Sequence, residues 1–217
     1  MPLSDCFRDI CPQLSGEQAF QHYEHVRERL PSAEFPGGFQ TASGLLEIAG
    51  EFDAFIFDAY GVLNVGATAI ASAPDCIAAL RALGKRVFVL SNGASYDASA
   101  NVIKFQGLGF DFKAPEIVSS REAAERALTE FGDEILWGAM AKADYAPDEI
   151  PQPTIQLADN PSIYDEVRGF LFLSTLDWNS ERQELLEQSF EKNPRPIIVA
   201  NPDIVSPREN HFGIEPG

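Results

Sequence analysis

Cysteine is scarce and unpatterned in this sequence: Cys6, Cys11 and Cys76 form no CxxC pair, and three is an odd number. That points to reduced, unpaired thiols and away from a disulfide framework or a zinc site. Histidine is equally rare, and His22 and His25 share a helical face without a nearby third ligand, so they read as surface residues. Long apolar runs are missing; none approaches the ~20 residues that span a bilayer. The segment from Met1 to Asp9 carries Asp5 and Asp9 and no basic, apolar leader pattern, so the expectation is a soluble cytoplasmic protein. Internal repeats and low-complexity tracts are also lacking.

Basic side chains are few, 16 against 33 acidic ones, for a formal charge of −17. Such a surface repels nucleic acid and anionic membranes, both of which need clustered Lys and Arg. It also repels anionic substrates, so a phosphate site here needs a metal ion or dense local hydrogen-bond donors. Most of the acid reads as solvating surface. What is present is an ordinary globular composition, 45% apolar over 217 residues, enough for one ample core or two small ones.

Along the chain, Ser15 and Gln18 make a capping box ahead of Phe20, Tyr23, Val26 and Leu30, with Pro31 closing the helix. The connector "PSAEFPGGFQTASG" is rich in Pro and Gly, so residues 1–50 read as a helical arm. Strand and helix then alternate: a buried strand over Ala54–Phe57, a helix over Pro74–Leu83 ended by Gly84, and a buried strand over Arg86–Leu90. A helix over Ala98–Phe105, a short strand in "PEIVSS" and a helix over Arg121–Phe131 follow. Continuous apolar strands in this alternation predict an α/β fold, a Rossmann-like parallel sheet covered on both faces, over residues 51–132. From 133 the texture changes. "EILWG", "PTIQL" and "VRGFLFL" are strand-like, Ser180 and Gln183 cap a helix carrying Leu185, Leu186 and Phe190, and "RPIIVA" is a last strand, so residues 133–217 read as a second α/β domain.

The first strand ends on Asp58, and the next predicted strand ends on Ser91 and Asn92. In open parallel sheets ligands bind beyond the carboxyl ends of the strands, so sequence order alone brings a carboxylate, a hydroxyl and an amide to one crevice. An aspartate there can act as a nucleophile and can ligate Mg²⁺. Ser91 and Asn92 can hydrogen-bond a phosphate, helped by the amides of Gly93 and Ala94 and by the helix beginning near Asp97. Gly61 permits a sharp turn over a bound anion. Taken singly, Asp58 reads as a turn cap and Ser91–Asn92 as a generic loop; their occurrence on consecutive strands points to a site.

The segments "FIFDAYGVL" and "VFVLSNGAS" resemble the first two motifs of the haloacid dehalogenase superfamily, mostly phosphatases that work through an aspartyl intermediate. Val62 and Leu63, the short gap to Ser91, and the later "IVANPD" look like the NagD-like subclass (IIA), in which a large α/β cap follows the second motif. The resemblance covers roughly Phe52 to Gly217. It implies Asp58 as nucleophile and Mg²⁺ ligand, Tyr60 as a metal ligand through its backbone carbonyl, and Ser91 and Asn92 as holders of the phosphoryl group. Asn201 and Asp203 of the cap would face the substrate; Arg208 and His211 lie close enough in sequence to join them or to be ordinary cap-loop side chains. The implied activity is a Mg²⁺-dependent phosphatase of a small, sugar phosphate-like metabolite, with a homodimer as the self-association left open.

The chain departs from that pattern at two places. Tyr60 stands where a second aspartate usually protonates the leaving oxygen, and a phenol, with an ordinary pKa near ~10, is a poor base at neutral pH. Losing such help costs roughly 10²–10⁴ in rate. Family members also continue into a lysine motif, often "GKP", and an acidic "GDxxxxD" motif, whereas this sequence reaches "FGIEPG" before either; Lys104 and Lys113 lie in the wrong part of the chain to stand in. The expectation is therefore a longer protein whose further strands would flank the other side of the nucleophile strand. Two other readings remain open. A 2-haloacid dehalogenase needs no protonated leaving group, but residues 64–85 are too short for its cap. A degenerate member would bind a phosphorylated metabolite or a partner without turnover.

Overall fold

Two parallel sheets carry the fold, each assembled from short strands, most of them rich in β-branched or aromatic residues. The computed structural model describes residues 15–217 apart from 36, 133, 145–149 and 208–211. Ser15 opens α1 (Gly16–His25) by accepting the Gln18 amide, while the Gln18 side chain accepts the Ser15 amide, as the capping box predicts. The helix stops earlier than Pro31: a single 3-10 turn over Arg27–Arg29 follows it, and Phe20 stays exposed while Ala19 is buried.

The first sheet begins with β1 (Ala54–Phe57). A small hairpin of β2 (Asn64–Val65) and β3 (Thr68–Ala69) leads to α2 (Ala73–Ala82), which has Pro74 in its first turn. Then come β4 (Arg86–Ser91), α3 (Ala98–Gly107) and β5 (Ile117–Ser119). The order is β1-β4-β5 with both pairings parallel. Among the described residues β1 pairs with β4 alone and so lies at an edge of this sheet. Side chains alternate across the pleat. Phe55, Val87, Val89 and Ile117 therefore share one face, where they pack with Ile77 and Leu80 of α2 and Phe105 of α3.

The other face differs from the sequence-based expectation of a sheet covered on both sides. Ile56, Leu90 and Val118 point the opposite way and are 69%, 55% and 48% exposed. A continuous apolar run states that both faces are apolar, but not what lies against each one.

The second sheet follows α4 (Ser120–Leu128), whose Ser119 cap accepts the Glu122 amide. It contains β6 (Trp137–Met140), β7 (Thr154–Gln156), α5 (Pro161–Glu166), β8 (Gly169–Phe172), α6 (Ser180–Lys192) and β9 (Ile197–Val199). The order is β7-β6-β8-β9, all parallel. The last elements are an antiparallel hairpin, β10 (Val205–Pro207) with β11 (Phe212–Ile214). That hairpin and α5 were not anticipated, although α5 carries a readable start: Asn160 accepts the Ser162 amide and Pro161 occupies the first turn. The cap of α6 is Asn179, one residue earlier than Ser180, because the Asn179 carboxamide accepts the Arg182 amide at 2.9 Å. No helix among the described residues is long and apolar enough to cross a membrane.

Trp137 anchors the second sheet. It is fully buried, edge-on to Phe131 with centroids 5.2 Å apart, and its ring lies against the backbone of the neighbouring strand at Gly169. A Cβ at Gly169 would sit 2.4 Å from the Trp137 ring, far inside van der Waals contact. Gly169→Ala should therefore lower unfolding stability by about 1–3 kcal/mol, read from urea denaturation. Gly50→Ala, which would meet nothing within 4 Å, should change it far less.

Candidate active site

Both β1 and β4 end on the same edge of the first sheet, because they are parallel and in register from Ala54↔Arg86 to Phe57↔Val89. Asp58 follows β1 immediately, and the turn after it is tightly tied. The Leu63 and Asn64 amides both donate to the Ala59 carbonyl, at 2.8 and 3.0 Å, and the Gly61 amide donates to the Asn64 carbonyl at 2.8 Å. Gly61 holds φ +88°, a conformation that disfavours any residue with a Cβ. Asn64 is fully buried and donates its carboxamide to the Gly66 carbonyl at 2.8 Å. This turn holds the exposed Asp58 and the half-buried Tyr60 two residues apart on one cleft.

Ser91 ends β4, and its Oγ accepts the Gly93 amide at 3.1 Å. That contact occupies the Gly93 N–H and leaves the serine O–H able to donate elsewhere. The loop then runs into α3, where Asp97 accepts the Ala100 amide at 2.7 Å; this hydrogen bond is the main reason its carboxyl lies below the usual range.

Asn92 reaches across to the second half of the chain. Its carboxamide nitrogen donates to Asp203 Oδ1 at 3.1 Å, joining residues 111 apart in sequence. Asp203 is held by its own loop as well, since its amide donates to Asn201 Oδ1 at 3.0 Å. The buried Asn201 donates in turn to Glu215 Oε2 at 3.0 Å, and Ser206 Oγ donates to Glu215 Oε1. A further tie comes from α1: the Ile204 amide donates to the Tyr23 hydroxyl at 3.0 Å, so the N-terminal helix grips the loop that carries Asp203. Burial pushes the Asp203 carboxyl above its ordinary range; the Asn92 hydrogen bond opposes that shift, and the charge of Asp58 adds to it.

The result is a cleft of about 310 Å³. Of the residues picked from sequence, Asp58, Tyr60, Ser91, Asn92, Gly93, Asn201 and Asp203 all line it. Arg208 and His211 lie outside the described residues. Sequence reasoning missed Glu215 and set Lys104 aside as a stand-in for the lysine motif; both also line the cleft. Glu215 belongs to the unforeseen hairpin and had no local signal. Lys104 lies three residues after Asn101, which also lines the cleft, so both share a face of α3. Its ammonium lies 4.4 Å from the centroid of the Tyr60 ring.

No cluster of three or more His, Cys, Asp or Glu side chains able to hold a metal ion occurs among the described residues. Asp58 and Asp203 are nevertheless close enough for one charge to raise the proton affinity of the other. The Asp58 carboxylate and the Tyr60 carbonyl are hard oxygen donors that suit Mg²⁺, which uses one or two carboxylates and takes its other ligands from water and substrate phosphate. The donor set fits such an ion.

Comparison with known proteins gives a consistent set of likenesses. Residues 55–143 match the family model described as haloacid dehalogenase-like hydrolase. Over 60 residues the chain is 43% identical to glycerol-3-phosphate phosphatase of Rattus norvegicus, a match covering 28% of this chain and 19% of that enzyme. Among solved structures, a "possible sugar phosphatase, HAD superfamily" from Cytophaga hutchinsonii superposes with a TM-score of 0.72 at 21% identity, covering 82% of this chain and 64% of that one. Glycerol phosphate phosphatase of Mycobacterium tuberculosis in complex with magnesium superposes with a TM-score of 0.62 at 17% identity, covering 77% and 49%. The matches thus span less than two thirds of these relatives' own lengths. At such identities the structural likenesses establish the fold.

The raised proton affinity of Asp203 has a stability consequence with a definite sign. The folded state binds this proton more tightly than the unfolded chain, whose aspartate titrates near ~3.9. The folded form is therefore favoured at low pH, and that advantage is lost as pH rises through the folded-state pKa. In buffer free of divalent cations, Asp203→Asn keeps an acceptor for Asn92 and removes the charge. It should raise the urea midpoint at pH 7, with the gain shrinking towards zero near pH 4; a gain that does not change with pH would refute the assignment.

Proposed function

From the match of residues 55–143 to the haloacid dehalogenase-like hydrolase family model, we propose a Mg²⁺-dependent, NagD-like phosphatase of small phosphorylated metabolites that works through an aspartyl-phosphate at Asp58. The observation that carries this reading is the convergence of Asp58, Ser91 and Asn92 at the ends of β1 and β4, with Asp203 tied to Asn92 across the same cleft. The names of the relatives, a glycerol-3-phosphate phosphatase and a "possible sugar phosphatase", support a small phosphate ester as the substrate class. The −17 charge supports a small-molecule ligand over nucleic acid, and the three unpatterned cysteines support a cytoplasmic setting.

In this mechanism one oxygen of the Asp58 carboxylate forms a bond to phosphorus as the bond from phosphorus to the ester oxygen breaks. Ser91 Oγ, which accepts from Gly93, turns its proton to a phosphoryl oxygen, and the Asn92 carboxamide donates to another. The leaving oxygen takes its proton from solvent water, since Tyr60 offers a hydrogen bond but no carboxylic acid. Water then attacks phosphorus, returning the bonding electrons to Asp58 and releasing inorganic phosphate. A Mg²⁺ ion held by the Asp58 carboxylate and the Tyr60 carbonyl would supply charge neutralisation between the nucleophile and the phosphate.

Tyr60 favours a second reading, a binder of phosphorylated metabolites with slow turnover or none. The dehalogenase alternative is weaker, since only the β2–β3 hairpin and α2 lie between β1 and β4. Hydrolysis of an aryl phosphate by the full-length protein in Mg²⁺ separates these readings. Asp58→Asn should reduce turnover to background while the circular dichroism spectrum is kept; undiminished activity would remove the mechanism. Tyr60→Asp should accelerate hydrolysis of alkyl phosphates more than of aryl phosphates, whose leaving groups need less protonation, by up to the ~10²–10⁴ that acid–base help provides. Equal effects on the two substrates would assign Tyr60 a different role.

A further inference from the structure

Basic side chains in this acidic protein are mostly claimed by carboxylates where they meet other residues. Arg81 pairs with Asp111 and Glu116, Arg121 with Glu125, Arg182 with Asp159, and Lys142 with Asp144. Lys104 breaks that rule in the place where it is hardest to break. Three carboxylates, Asp58, Asp203 and Glu215, line its cleft, and among the described residues Lys104 is the one basic side chain lining it. It forms no ion pair with any described residue. Its ammonium instead lies 4.4 Å from the Tyr60 ring centroid and 5.4 Å from that of Phe105.

A ring face attracts an ammonium without neutralising it and without accepting its protons in the way a carboxylate does. The two aromatic rings therefore hold the charge in position while leaving its N–H donors available. The alkyl stem, two turns from the Asp97 cap of α3, carries that charge beside Tyr60, two positions from Asp58. A dianion entering this cleft meets three like charges, and Lys104 is the described side chain that can offset them at short range.

We propose that Lys104 is an anion-binding residue of the cleft and contacts the phosphoryl group from the Tyr60 side. The inference rests on the phosphatase reading for the chemistry of its ligand. It gives the Tyr60 ring a second task, as the platform on which the ammonium is held, and it identifies the substrate end that must be anionic.

The test uses full-length protein, Mg²⁺, inorganic phosphate as the calorimetric probe and phenyl phosphate as the kinetic one. Lys104→Met keeps the apolar stem and removes the charge; phosphate binding should weaken about 10- to 100-fold, the worth of a charge-assisted hydrogen bond. The KM for phenyl phosphate should rise and the salt dependence of phosphate binding should fall. Lys104→Arg should recover most of the binding, which a purely packing role would not produce. Equal phosphate affinity in the Met variant and the wild type overturns the role of Lys104 and leaves the phosphatase reading standing. An equal loss in the Met and Arg variants marks a steric role and also overturns it. A wild-type protein that neither binds phosphate nor hydrolyses phenyl phosphate overturns both.

Discussion

The hydrogen bond from Asn92 to Asp203 is the contact on which the cleft depends. It crosses between the loop that ends β4 and the loop that follows β9, and so connects the two sheets where their strand ends meet. It also answers an electrostatic problem. Asp203 is half-buried and close enough to Asp58 to feel its charge, so two carboxylates are held near one another at a cost that the Asn92 donor partly offsets. Such an arrangement suits a site that takes up a cation or gives up a proton.

Around that contact, each side of the cleft is kept in place by short-range ties. On one side the Ala59–Asn64 turn is closed by paired amides and by the left-handed Gly61. On the other, the Asn201–Glu215–Ser206 network braces the Asp203 loop from within, and Tyr23 braces it from the N-terminal helix. Preorganisation of this kind matters most where charge develops during reaction, because fixed dipoles need not reorient. The one cation in the described lining is held in a different way, by rings, and keeps its donors for a ligand.

Much of this was determined by the sequence alone. Local signals placed the strands of the two parallel sheets and most of the helices: the Ser15 capping box, Pro74 in the first turn of α2, and the apolar runs of β1, β4 and β8. The order of the strands and the rule that ligands sit at carboxyl ends bring Asp58, Ser91 and Asn92 together. These properties lie within a few residues of one another or follow from the order of elements, and so a linear reading reaches them.

Tertiary structure alone decided the rest, because it turned on residues far apart in the chain. No local pattern tells that Asn92 donates to Asp203, that Tyr23 holds the Ile204 amide, or that Glu215 returns to the cleft on the β10–β11 hairpin. Nor does an apolar strand reveal that its second face, at Ile56, Leu90 and Val118, is exposed among the described residues. Lys104 is the sharpest case. Its place in the chain argued against its standing in for the lysine motif, yet a long alkyl stem on the Asn101 face of α3 carries its ammonium to Tyr60. Side-chain reach and helix phase, neither of which is written in motif order, put it there.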